Sequence, residues 1–176
     1  MFFIKKHKRR VKRLSLTIDR NGILKITAPT GLPQEKIDAF VKKNQEWISK
    51  QLLLHKKYIH LPKEIGTKSH FSVHKAAARK FIGERVVFWN NELGFPFSKL
   101  AIRNQVSRWG SCSKKGILNF NYKLLFIPRE LADYVVVHEL CHLKHFNHSK
   151  DFWKTVENIL PDYKISFKEL RRYRMN

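Results

Sequence analysis

HELCHLKHFNH, residues His138 to His148, follows directly on the apolar run Leu131 to Val137 (LADYVVV), and together they decide how the rest of the chain is read. A helix advances 100° per residue, so His138 and His142 fall about 40° apart on one face, one turn apart along the axis, where two imidazoles can grip one metal ion. Glu139 stands roughly 80° to one side of their midline, too far round for a third ligand but well placed to reach a water on the metal. Leu140 points the other way, toward a core, and Cys141 flanks the pair on the side away from Glu139. His148 lies six residues after His142, which fits a helix ending near His145 and a turn that returns a third imidazole to the metal. Three protein ligands leave the fourth position of a tetrahedral ion open, as in catalytic rather than structural zinc sites. The spacing therefore predicts Zn2+ held by His138, His142 and His148, with Glu139 as the catalytic base. Chance is a poor source of this pattern: shuffling the composition produces it, with the further His at a fixed offset, in roughly 0.1% of chains. A merely solvated His-rich helix end would follow polar residues, whereas LADYVVV marks a buried helix.

Outward from the motif, Pro128 stands at the start of this helix, and Glu130 lies in its first turn. Ser149 can cap a helix from Lys150 to Leu160, Pro161 ends it, and Ser166 to Arg174 reads as a short last helix. Upstream, Lys99 to Gln105 and Ile117 to Leu125 read as strands joined by a loop, Ser107 to Gly116. His70 to Leu93 has helical spacing through Val73, Ala77, Phe81, Val86 and Trp89, and Gly94 ends it. His55 to Ser69, with Pro62 and Gly66, reads as a connector. Pro33 to Leu54 reads as one helix, on Ile37, Phe40, Val41, Trp47, Ile48 and Leu52. Arg13 to Ala28 alternates apolar and other residues about the turn tripeptide Arg20-Asn21-Gly22, the pattern of a β-hairpin. The expected fold is α+β: a zincin-like domain of antiparallel strands and an active-site helix over residues 63–176, with a small hairpin-and-helix subdomain over residues 1–62.

In the loop, Arg108 and Arg103 are candidates for holding an anionic substrate or the oxyanion of a tetrahedral intermediate. Packing of Trp109 and a turn at Gly110 account for their neighbours without chemistry. Cys112 and Cys141 are good zinc-ligand types that a three-His site does not need. His145, about 60° from His142 on the side away from His138, reads as a residue behind the ligands or on the surface.

A hydrophobic content of 43%, with 13 Phe and 4 Trp among 176 residues, excludes a disordered chain. Two cysteines are too few for a disulfide framework and, with no signal peptide, suggest a reducing cytoplasm. No stretch approaches a membrane span. With 36 Lys and Arg against 14 Asp and Glu, the net charge is +22, which admits nucleic acid or another polyanion as a non-specific, salt-sensitive partner. Lys5 to Arg13 is the densest basic stretch.

Arg108 to Cys112 (RWGSC), Asn119 to Pro128 (NFNYKLLFIP) and Tyr134 to Trp153 (YVVVHELCHLKHFNHSKDFW) resemble the YgjP-like metallopeptidase domain, a relative of the SprT-like and WLM zinc proteases. The resemblance runs from about Arg79 to Glu157, and Leu14 to Trp47 is similar to the N-terminal region of that family. It implies zinc on His138, His142 and His148, Glu139 as base, and the Ile117 to Leu125 region as the strand that pairs with an extended peptide. Metzincins, by contrast, place Gly where this chain has His145; Asn147, which tolerates left-handed backbone, is expected to make the turn instead. Three functions follow in order of preference: a zinc metallopeptidase acting on protein or peptide, a metal-dependent phosphoanhydride hydrolase acting on nucleotides, and a basic nucleic-acid-binding module with a non-catalytic zinc.

Overall fold

The computed structural model describes residues 5–8, 11, 13–19 and 22–175, and the chain divides into two compact units, Met1–Ile59 and His60–Asn176. Mixed helices and small sheets make the architecture α+β, as expected.

In the first unit the hairpin forms from β2 (Ser15–Ile18) and β3 (Leu24–Ala28), antiparallel, with Ser15 opposite Thr27 and Ile18 opposite Leu24. Gly22 takes φ 75° in the turn; its partners Arg20 and Asn21 lie outside the described residues, as does part of the basic stretch. An unforeseen strand β1 (Lys5–Lys8) pairs parallel with β3. Leu24, Ile26 and Ala28 alternate inward on β3, and Ile26 and Ala28 form a small core with Ile37. The expected single helix over 33–54 is two, α1 (Gln34–Lys43) and α2 (Gln45–Lys56). Asn44 breaks it: its side-chain Nδ2 donates to the Phe40 carbonyl at 2.7 Å, competing with the helical bonding pattern. A two-residue strand, β4 (Ile59–His60), follows α2.

In the second unit α3 (Lys68–Leu93) is capped by Thr67, whose Oγ1 accepts from the His70 backbone N–H at 3.2 Å, and Gly94 ends it with φ 62°. Its buried face is Ala78, Ile82, Arg85 and Val86. Val73 and Ala77, part of the helical spacing, are exposed: they lie N-terminal to and beside the stripe that meets the next helix.

The sheet holds three strands, β5 (Lys99–Arg103), β6 (Gly110–Cys112) and β7 (Ile117–Asn121), in the order β5-β7-β6. The loop expected over 107–116 therefore contains a strand. Because β6 reverses the chain before β7, β5 and β7 are parallel, and the antiparallel pair is β6 with β7. The strand expected to reach Leu125 stops at Asn121, whose side chain accepts from the Lys123 backbone N–H at 3.2 Å and opens a 3-10 turn over Tyr122–Phe126.

Helix α4 (Arg129–Cys141) runs through the core: every residue from Leu131 to Val137 is buried. The Arg85 guanidinium spans both carboxylate oxygens of Asp133, one at 2.9 Å, and locks α4 to α3 in a pair shielded from solvent. Ser149 caps α5 (Lys150–Ile159), and α6 (Tyr163–Leu170) begins earlier than expected, at Tyr163, before a final short strand β8 (Tyr173–Arg174).

Candidate metal centre

His138 occupies the last turn of α4, and His142 is its C-terminal cap, its backbone N–H still bonded to the His138 carbonyl. Beyond it the chain tightens, with Leu143 N–H to Leu140 O and His145 N–H to Cys141 O, both at 2.9 Å, and returns His148 to the same side. The Nε2 atom of His148 lies 3.1 Å from that of His142 and 3.1 Å from that of His138. Among the described non-glycine residues none has positive φ, so Asn147 does not take the left-handed role expected of it. The turn is secured differently: His142 Nδ1 lies 2.9 Å from the His145 carbonyl, and His145 Nε2 lies 3.2 Å from Thr155 Oγ1 on α5. His145 is thus the brace of the loop, half-buried and turned away from the three Nε2 atoms.

That brace also settles which nitrogen is free. A carbonyl only accepts, so His142 carries its proton on Nδ1 and turns the Nε2 lone pair inward. Donors on a tetrahedral zinc with bonds of about 2.0–2.1 Å stand roughly 3.4 Å apart, close to the spacing here. The donor set fits zinc. Burial and the neighbouring His142 and His148 push the His138 imidazole down to about 3, and burial pushes His142 down as well, so these rings are neutral and able to bind metal at ordinary pH.

Phe152, fully buried on α5, is the floor beneath all three rings, with centroids 4.9 Å from His138, 4.5 Å from His142 and 4.8 Å from His148. Trp153 stacks on His148 at 5.6 Å. Neither was singled out from sequence; the signal available was their place in the first turn after the Ser149 cap.

Glu139 is 6% exposed and faces β6. The Cys112 backbone N–H donates to its carboxylate, and the Arg108 guanidinium acts on it through space; both favour the charged form. Burial outweighs them and lifts Glu139 to about 8. A Cβ on Gly110 would sit 2.7 Å from Glu139 Cγ and 2.8 Å from Oε1, so a residue without a side chain is what lets β6 lie against the carboxylate.

These groups line a cavity of about 300 Å³ with Arg108, Gly110, Ser111, Cys112, Phe146 and the three histidines around Glu139. The structure thus brings together His138, Glu139, His142, His148 and Arg108. Arg103 does not line it: it is exposed on β5, the opposite edge of the sheet from β6, with Nε 3.3 Å from Asn119 Oδ1. Burial raises the thiols of Cys112, to about 11 with a further push from Glu139, and Cys141, to about 12, so both are neutral thiols in the metal-free protein.

A helix-borne His-Glu-x-x-His with a distal His, set against a small mixed sheet, defines a metallopeptidase domain. The chain belongs to the YgjP-like family: the model of its metallopeptidase domain matches residues 12–72 and 62–173. Among solved structures the chain is similar to the metallopeptidase zymogen of Pyrococcus abyssi abylysin, at 25% identity over 53% of this chain and 98% of that one, with a TM-score of 0.46. The metallopeptidase zymogen of Methanocaldococcus jannaschii jannalysin is similar at 19% identity over 52% of this chain and 94% of that one, with a TM-score of 0.38. No curated protein matches the chain. Among the described residues no helix is long and apolar enough to cross a membrane.

Proposed function

We infer that this chain is a zinc-dependent peptidase that hydrolyses extended peptide segments, with His138, His142 and His148 as the metal ligands and Glu139 as the base. The observation that carries the reading is the convergence of three Nε2 atoms beside a buried carboxylate in one cavity. Zinc, when bound, supplies Lewis acidity toward a carbonyl oxygen and toward water. Glu139 takes the proton of the attacking water and passes it to the departing amine. Its low-dielectric setting raises its affinity for that proton above that of an ordinary carboxylate, which helps it hold the proton between the two transfers. Arg108, exposed at the mouth and aimed at the same cavity, holds the oxygen that becomes negative.

Peptide recognition falls to β6, not to the Ile117–Leu125 region. β7 is central and paired on both sides, whereas β6 is a sheet edge and carries the backbone that borders Glu139. An added peptide strand along β6 would lie across the cavity mouth.

The test is metal analysis of untagged protein with hydrolysis assays on unfolded protein and on nucleoside triphosphates, for wild type and Glu139→Gln. The expected result is about one zinc per chain in both, and peptide cleavage in wild type alone. Phosphate release that depends on Glu139, without peptide cleavage, would replace the peptidase with a phosphoanhydride hydrolase. No metal, and no gain on adding zinc, would sink both.

A further inference from the structure

Beside the metal centre lies a second cavity, of about 390 Å³, lined by Pro96, Phe97, Leu143 and Phe146 and rimmed by Lys114 and Lys115. Phe146 borders both cavities, so the two adjoin at that residue. The edge strand connects them too: Gly110, Ser111 and Cys112 border the first, and the chain continues into Ser113 to Gly116, which border the second. A peptide strand added along β6 therefore runs from one to the other, advancing about 3.3 Å per residue.

The wall that carries the lysines is preformed. Gly116 N–H donates to Ser113 O at 2.9 Å, Ser113 N–H to Ile117 O at 3.0 Å, and Ser98 clamps the turn twice, through its N–H to Gly116 O at 2.9 Å and its hydroxyl to Lys115 O at 2.7 Å. Gly116 has φ 70°, and a Cβ there would meet Ser98 N at 3.3 Å, so the close approach depends on glycine. Phe97 and Phe146 meanwhile leave 36% and 56% of their surface open, large for rings at the side of a cavity. Apolar walls beneath a cationic rim fit one kind of occupant.

We propose that this second cavity is a substrate subsite that takes a large apolar side chain, aromatic or long aliphatic, from a peptide with acidic residues next to it, roughly two or three residues from the scissile bond. The proposal rests on the peptidase reading and names the substrate class for it. Continuity of the edge strand and the shared Phe146 place the guest; the rim charge selects its neighbours.

The experiment uses zinc-loaded full-length protein and a set of extended peptides that differ at one position, Phe against Ala, each with flanking Asp or flanking Lys. Cleavage by wild type is compared with Phe97→Ala and with the double variant Lys114→Glu, Lys115→Glu, and binding of the same labelled peptides is measured by fluorescence anisotropy on Glu139→Gln. Wild type is expected to favour Phe over Ala at one fixed position by about tenfold or more in kcat/KM, and Phe97→Ala to erase most of that ratio. The double variant is expected to reverse the preference for Asp flanks, in cleavage and in binding alike. Glu139-dependent cleavage with no side-chain preference, or a preference that neither variant alters, overturns the subsite and leaves the peptidase standing. Absence of any Glu139-dependent cleavage takes both down.

Discussion

Replacing Gly110 by alanine places one methyl group against the carboxylate of Glu139. The new Cβ would lie 2.7 Å from Cγ, 2.8 Å from Oε1 and 3.0 Å from Cδ, where non-bonded carbons settle at about 3.5–4.0 Å. About 1 Å must be found. Glu139 has nowhere to retreat, being 6% exposed on a helix whose next two residues are fully buried. The alternative is for β6 to lift away from α4 against its pairing with β7, Gly110 opposite Phe120, and against the Asn121 N–H bond to the Trp109 carbonyl at 2.8 Å. Overpacking of this kind costs about 1–3 kcal/mol, which for a chain of this size lowers Tm by roughly 3–10 °C. A base displaced by about 1 Å loses on the order of 100-fold in kcat. The three Nε2 atoms are not in the path of the methyl, so zinc content should stay at that of wild type. Differential scanning calorimetry, metal analysis and peptide turnover on Gly110→Ala read all three. Gly110 has ordinary φ, so backbone strain does not complicate the outcome. Wild-type Tm and kcat in this variant would refute the claim that β6 positions Glu139.

Two further outcomes are expected. Phe152→Ala removes the floor shared by three histidines; it should lower stability by about 3–5 kcal/mol and weaken zinc affinity, both read by zinc-dependent thermal melts, and a variant that melts lower with unchanged zinc affinity would reduce Phe152 to plain core. Metal-free protein should be most stable near pH 6.5. His138, lowered from 6.5 to about 3, and His142, lowered as well, contribute stability that is lost as pH falls below 6.5, and Glu139, raised from 4.5 to about 8, contributes stability that is lost as pH rises through its own interval. Chelator-treated Glu139→Gln should therefore lose the alkaline decline between pH 6.5 and 8 that wild type shows in denaturant titrations; identical declines would remove Glu139 as its source.

The parts legible in the sequence are those whose physics is local. The 3.6-residue period of HELCH set two histidines on one face, and LADYVVV marked a buried helix, because both depend only on side-chain direction and hydropathy. β6 was hidden, since Gly110-Ser111-Cys112 is three residues long with weak strand preference and is held in place by β7 and Glu139, distant in sequence. The parallel pairing of β5 and β7 was hidden with it, as only the intervening reversal dictates direction. Asn44 broke a helix whose apolar spacing continues on both sides, so periodicity alone carried no mark of the break. At the site, Arg103 and Arg108 look alike in sequence, and only strand order separates them onto opposite edges. Phe152 and Trp153 lie in a helix of strong apolar patterning and differ from other core aromatics only through the turn that folds His148 over them.

A sheet edge left open to guests is also open to another copy of the same chain, and exposed edges are where proteins stack into aggregates. β6 is only three residues long, with exposed Arg108 shortly before it and exposed Lys114 and Lys115 shortly after. Two copies meeting edge to edge would set these cations against one another, on chains that each carry +22. The same lysine-flanked strand proposed to admit an acidic segment would thus repel its own twin, and the protein could keep a receptive edge without polymerising along it.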